Sequence, residues 1–405
     1  MVDIVSHSTP QTHISTQPGA LANQAAHLSG GKRATRLAFF IAGFGLSCWA
    51  PLVPFAQQRM NADSAMLGTI LLCLGLGAVI GMPLAGMLSG RIGTKPVITA
   101  GAIGLAVALP LLAILSTPIT LGLCLLLFGA SLGAIDVAAN IHGIEVQDVA
   151  KAPLMSGFHG MYSIGGLVGA GGMALIIASG LNVATSALVA TAVIIACIAI
   201  AFSGFFTTRS ANNHAMFVIP KGKVLLIGLL TLLIFLGEGA MLDWSALLLT
   251  KEKQVDVALS GSAYAVFAFA MTISRLIGDR VVARIGDRLM LLGGFLLTGL
   301  GIVLVAYFNS LPVILASIAL AGLAAGNVVP VLFTIAGQQR SMPASQAIAA
   351  TSILGYMGVL LGPALVGYVA HFIGLILAFF TLAVLMVIAM GVVSAVPFQR
   401  SGEQQ

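Results

Sequence analysis

Asp136 and Asn140 stand four residues apart in an apolar stretch, Gly133-Ala-Ile-Asp136-Val-Ala-Ala-Asn140-Ile-His142, and so share one helical face. The next apolar stretch opens with Gly157-Phe-His159-Gly-Met-Tyr162-Ser163. At about 1.5 Å of rise per residue, Asp136 falls about 10 Å from the end of its helix and His159 about 8 Å into the next. On consecutive antiparallel helices those depths agree. An Asp136–His159 pair there could hold and pass a proton, because an imidazole titrates near neutral pH. The alternative is a fixed polar contact between two helices.

A third stretch carries Glu238-Gly-Ala-Met-Leu-Asp243-Trp244-Ser245. Glu238 lies about 22 Å from the start of that helix and Asp243 about 30 Å, which embeds Glu238 and leaves Asp243 near the far end. Trp244 aligns with Trp49 at an offset of 195 residues. Both tryptophans suit either an interfacial belt or stacking on a sugar-like ring. Arg275 and Asp279, four apart, suit a self-neutralising pair on one helix face, either static or part of a gate. Asn327 precedes Pro330, which can loosen a helix beside a polar side chain.

These few polar groups sit in a chain that is 59% hydrophobic and 7% charged, with mean hydropathy +1.08. A soluble domain carries roughly a quarter charged residues, so lipid must solvate this one. Apolar runs long enough to cross a bilayer recur at about 36–58, 66–89, 96–115, 119–142, 154–178, 183–206, 223–249, 259–282, 288–308, 312–337, 344–370 and 373–396. Lipid offers the backbone no partner, so the spans are helices, and the fold class is an all-α membrane protein of twelve transmembrane helices. With both termini inside, the cytoplasmic segments hold Lys32, Arg33, Arg36, Arg91, Lys95, Lys151, Arg209, Lys221, Lys223, Arg280, Arg284, Arg288, Arg340 and Arg400. Only Arg59, Lys251 and Lys253 fall outside, the asymmetry that positive-inside insertion requires. The net charge of +6 is thus topological and indicates no nucleic-acid partner.

Residues 1–35 are polar without an apolar core and are expected to be a disordered cytoplasmic tail rather than a signal peptide. The stretch 207–222 is expected to be a cytoplasmic linker between bundles at 36–206 and 223–396, and 397–405 a second short tail. Cys48, Cys73, Cys124 and Cys197 all fall in spans without metal-ligand spacing and read as buried thiols. No nucleophile–base constellation, metal cluster or phosphate loop appears. An enzyme is therefore not expected, nor a cofactor, and a monomer is the expected assembly.

The second half repeats the first at an offset of 193. Gly68, Gly93, Gly101, Gly129, Gly133, Gly165 and Gly169 return as Gly261, Gly286, Gly294, Gly322, Gly326, Gly358 and Gly362. Chance alignment would give roughly two to three such pairs, so the halves are duplicates. The segment Gly86 to Lys95, with Arg91 and Lys95, lies between spans 2 and 3. Its counterpart, Asp279 to Arg288 with Arg284, lies between spans 8 and 9. The two resemble the signature loop of the major facilitator superfamily, with Gly90 and Ala283 where that loop usually has aspartate. Together with Asp136-Val-Ala-Ala-Asn140, His159-Gly-x-Tyr162-Ser163, the Glu238 to Ser245 run and Arg275-Leu-Ile-Gly-Asp279, the chain resembles the branch with rhizopine-transport-like proteins and, more distantly, proton-coupled fucose permeases. That resemblance implies two pseudo-symmetric six-helix bundles, gating loops that break and re-form, and a fourth-helix carboxylate in proton coupling, for which Asp136 is the candidate.

The expected function is proton-coupled symport of a small polar, sugar- or polyol-like solute across a bacterial inner membrane by alternating access. Asp136, Asn140, His159, Tyr162, Glu238, Asp243, Trp244, Asn327 and Trp49 would line the pathway. Arg91, Lys95, Arg275, Asp279, Arg284 and Arg288 would gate it. Proton-driven efflux is the alternative, suggested by the glycine-rich Gly165–Gly172 run, which also allows close helix packing. A membrane sensor that does not transport is a third reading.

Overall fold

The structure, a computed structural model, describes residues 18–62, 64–207, 219–256, 259 and 262–394. Thirteen α-helices are described: α1 (Pro18–Trp49), α2 (Val53–Met60), α3 (Ser64–Ile92), α4 (Thr94–Ile114), α5 (Pro118–Ala150), α6 (Met155–Ala178), α7 (Val183–Ala201), α8 (Lys223–Leu247), α9 (Ser262–Tyr307), α10 (Leu311–Ala325), α11 (Val328–Gln338), α12 (Ala344–Ile373) and α13 (Leu375–Val393). Among the described residues, 11 helical segments are long and apolar enough to cross a membrane. One of them, α9, has 46 residues, about 69 Å and twice a bilayer core. It breaks at Gly286 (φ 78°, ψ 164°) and counts as two, which gives twelve spans.

Gly93, exactly one repeat earlier in the chain, separates α3 from α4 with φ 90° and ψ 165°. A side chain resists that conformation, so glycine marks both corners. The two expected gating loops therefore shrink to one-residue breaks between helices, and Arg91, Arg284 and Arg288 lie on helix rather than in loop. Span 1 is α1 and α2 joined by a 3₁₀ turn at Ala50–Leu52, where Pro51 and Pro54 interrupt the backbone ladder. Span 10 is α10 and α11, interrupted at Gly326–Asn327.

The expected tail at 1–35 is corrected in part. Residues 18–35 are helical and continue span 1 toward its basic end, because Ala20, Ala22, Ala25 and Ala26 favour helix without needing lipid. Residues 1–17 of that tail, 208–218 of the expected linker and 395–405 lie outside the described residues.

Helices α1 to α7 form the first bundle, with α3 on α5, α1 on α6 and α4 on α5 and α7. Helices α8 to α13 repeat the plan, with α12 on α8 and both α10 and α13 on α9. Glycine rows bring backbones together: Gly129 of α5 meets the Leu74 carbonyl, Gly165 of α6 the Phe40 carbonyl, and Gly358 of α12 the Leu232 carbonyl. The halves meet through α6 on α9, α3 and α5 on α12, and α11 on α5 and α6.

Candidate functional site

Arg275 is the centre of the polar constellation. It is buried on α9, eleven residues before the break at Gly286 and near mid-helix. Its Nε donates to the Gly326 carbonyl at 3.2 Å. Within a helix that carbonyl would bond the amide four residues on, but Pro330 has no N–H, so the break in span 10 frees an acceptor that Arg275 takes. Nη1 donates to Ser163 Oγ of α6 at 3.0 Å, across the halves. Nη2 lies 3.6 Å from Glu238 Oε1 of α8. The expected Arg275–Asp279 pair is therefore not formed; Arg275 pairs with Glu238 instead.

Asp279 points elsewhere. Its Oδ2 accepts from the Gly157 amide at 3.0 Å, in the first turn of α6. That turn has Leu154 at its N-cap and no side-chain cap of its own, so a carboxylate from the other half satisfies free amides and the positive end of the helix. Gly86 is the repeat-mate of Asp279. It packs against Ala349 and the Ser345 carbonyl of α12 and offers no such cap.

The expected Asp136–His159 pair is also corrected. His159 Nε2 bonds Asn140 Oδ1 at 3.2 Å, and Asn140 Nδ2 donates to the Asp136 backbone carbonyl at 2.8 Å. Because α5 runs on to Ala150, Asp136 lies about 21 Å from that end rather than about 10 Å. One turn separates it from Asn140, which takes the histidine. An amide oxygen can only accept, so His159 carries its proton on Nε2. Its ring is buried among Phe39 and Phe333, with centroids at 4.9 and 5.8 Å.

Asp136 keeps some exposed surface and faces Ser352 of α12, whose hydroxyl makes no closed hydrogen bond. Tyr162 of α6 and Tyr356 of α12, an offset of 194, sit within electrostatic reach of Asp136 from opposite halves. Ser352 and Tyr356 escaped the sequence reading, although the repeat offset of 193 carries Tyr162 to Gly355, one residue short of Tyr356. Glu238, with its side chain 17% exposed, and Tyr264 complete the cluster near Arg275.

Other expected residues stand apart. Trp49 is 4% exposed in the first bundle's core, where it cannot stack on a solute. Trp244 is half-buried with Gly367 of α12 against its ring, and Asp243 is exposed at the far end of α8. Asn327 donates to the Ser274 carbonyl at 3.0 Å and its hydroxyl at 2.8 Å, and so braces span 10 on α9. Lys95 lies 3.8 Å from the centre of the Phe202 ring, a contact inside the first bundle.

Hydrogen bonds between the halves gather toward the end rich in Lys and Arg. Gln147 donates to Thr334 Oγ1 at 3.2 Å and Gln338 to Asp148 Oδ1 at 3.2 Å, beside the Asp279 cap. Gly337 also packs on Ile144 there. A cavity of about 650 Å³ at this end is lined by Gln147, Asp148, Asp279, Thr334, Gln338 and Arg340.

Comparison with known proteins agrees with this architecture. The family profile described as Major Facilitator Superfamily matches residues 36–215 and 227–403. An MFS-type transporter of Yersinia pestis is 44% identical over 353 residues, covering 87% of this chain and 92% of that protein. Membrane protein MosC of Rhizobium meliloti is 30% identical over 375 residues, covering 91% and 90%. Among solved structures, the fucose:proton symporter FucP of E. coli superposes with a TM-score of 0.73 at 14% identity, covering 91% of this chain and 98% of its own. The chain is a multi-pass membrane transporter and not an enzyme; it belongs to the major facilitator superfamily.

Proposed function

We propose that the protein imports a small polar, sugar- or polyol-like solute together with protons, through rocking of the bundles 36–206 and 223–396. The observation that carries this reading is the buried polar cluster that both halves contribute to: Asp136, Tyr162, Ser352, Tyr356, Glu238 and Arg275. Among the described residues Asp136 has no basic partner, which suits a carboxylate that gains and loses a proton during the cycle. Tyrosine and serine hydroxyls around it suit a solute rich in hydroxyls. The similarity of fold to a fucose:proton symporter supports the same class.

The basic end is the cytoplasmic one in this reading, with both termini there, in a bacterial inner membrane and in a monomer. The hydrogen bonds at that end then make this the state closed to the cytoplasm. Exposed Asp243 and Tyr264 lie toward the opposite end. The Gly165–Gly172 run that suggested efflux packs in part on the α1 backbone, while Gly171 and Gly172 meet nothing within 4 Å. The run thus favours helix packing and lends efflux no support.

The test is accumulation of labelled sugars and polyols in right-side-out vesicles. A panel member should accumulate above its outside concentration and drain when a protonophore is added. Accumulation that survives the protonophore contradicts proton coupling.

A further inference from the structure

Helices α6 and α9 come from opposite halves and approach along glycines. Gly160 lies against the Leu276 side chain and the Arg275 backbone, and Gly278 against the Ser156 side chain. Two polar contacts pin this seam: Asp279 on the Gly157 amide, and Arg275 on Ser163 about 9 Å further along α6. The second pin is poorly matched. A guanidinium N–H is spent on a neutral hydroxyl, which itself donates to the His159 carbonyl at 3.4 Å. Beside it, Glu238 Oε1 stands 3.6 Å from Nη2, beyond hydrogen-bond length, and is buried without a hydrogen-bond partner. A cation needing a better acceptor thus adjoins a carboxylate needing a donor. A ligand with an acceptor oxygen and a hydroxyl on neighbouring carbons answers both needs.

We propose that Arg275 and Glu238 recognise a vicinal diol, and that this recognition releases Ser163 and loosens the seam that closes the basic end. One diol oxygen takes Arg275 Nη1 from Ser163, and its neighbour donates to the Glu238 carboxylate. Only the Asp279 pin then holds α6 to α9, so solute occupancy and gate opening favour one another. The proposal rests on the central polar cluster being the solute site; it adds the solute's chemistry and the residue that transmits occupancy.

Ser163 is on this account a competitor for the solute, and its loss should strengthen binding. The measurement uses the purified full chain, titrated by thermal shift with L-fucose, D-glucose and sorbitol, and with 1,6-hexanediol as a polyol analogue lacking adjacent hydroxyls. In Ser163→Ala the half-saturating concentration of the best diol should fall roughly tenfold, the scale of one hydrogen bond to a charged group. A cysteine at Thr334, with the four native cysteines changed to alanine, should also react faster with maleimide from the basic end in Ser163→Ala without solute. Arg275→Lys keeps charge but loses the planar fork, and should lose preference for the diols over 1,6-hexanediol. Unchanged or weaker diol binding in Ser163→Ala overturns the proposal, as does equal binding of 1,6-hexanediol by the native protein. Unchanged cysteine reactivity overturns the link to the gate. If no sugar or polyol binds the native protein, the solute reading fails, while the reactivity comparison still decides the role of Ser163.

Discussion

Asp279 of α9 holds the Gly157 amide of α6 at 3.0 Å, so one half of the protein caps a helix of the other. In the proposed cycle this contact breaks when the basic end opens. Asp279→Ala should therefore cost the closed state about 0.5–2 kcal/mol, the usual range for a lost helix cap. A cysteine at Thr334 should react faster from the basic end, with Asp279→Asn intermediate because it keeps an acceptor but loses the charge. Unchanged reactivity in both variants would reduce the contact to an ornament of the static structure.

His159 donates to Asn140 and is sealed among phenylalanine rings, so in the proposed cycle proton handling is assigned to Asp136. His159→Gln retains an N–H donor for Asn140 and should leave the pH profile of uptake in place, with at most a few-fold loss of rate. In the native protein uptake should fall as outside pH rises, because loading requires protonated Asp136. In Asp136→Asn that dependence should vanish. A pH profile that follows His159 and ignores Asp136 would reverse the assignment.

Close backbone approach predicts where size is forbidden. A methyl at Gly129 would meet the Leu74 carbonyl and backbone, which cannot move aside as a flexible side chain would. Gly129→Ala should destabilise by about 1–3 kcal/mol, seen as a lower thermal midpoint. Gly171→Ala, with nothing within 4 Å, should be neutral or slightly stabilising through helix propensity. Equal effects at the two sites would mean the helix packing is looser than described.

Two of the three basic residues on the otherwise weakly charged end have a shared structural use. Arg59 Nη2 donates to the Leu112 carbonyl at 2.8 Å, and Lys253 Nζ to the Ala306 carbonyl at 2.6 Å. Each satisfies carbonyls near the end of the third span of its own half, where a cation also meets the negative helix end. Arg59→Ala or Lys253→Ala should lower thermal stability by about 1 kcal/mol and leave solute affinity unchanged. A change in affinity without a change in stability would instead draw these residues into the pathway.

Spans, helical state and duplication were legible because bilayer thickness and backbone satisfaction leave few alternatives to an apolar run of this length. The repeat offset even located both glycine corners, Gly93 and Gly286. Pairings were less legible. Spacing places Arg275 and Asp279 on one helix face, but it does not reveal that Pro330 leaves the Gly326 carbonyl open or that α6 begins uncapped next to Asp279. Those competing partners, both from other helices, decide where each side chain goes. His159 was drawn from Asp136 to Asn140 for a related reason: α5 extends to Ala150, which shifts the heights of α5 and α6 by about one to two turns. Tryptophan was a poor guide at one position, since Trp49 lies in the core of the first bundle.

The most direct test is solute flux by Asp136→Asn in proteoliposomes, using a solute that the native protein accumulates. The variant should still exchange labelled for unlabelled solute across the membrane, because exchange needs rocking but no net proton release. It should fail to accumulate solute under an imposed inward proton gradient. Gradient-driven accumulation at the native level by Asp136→Asn would contradict the account.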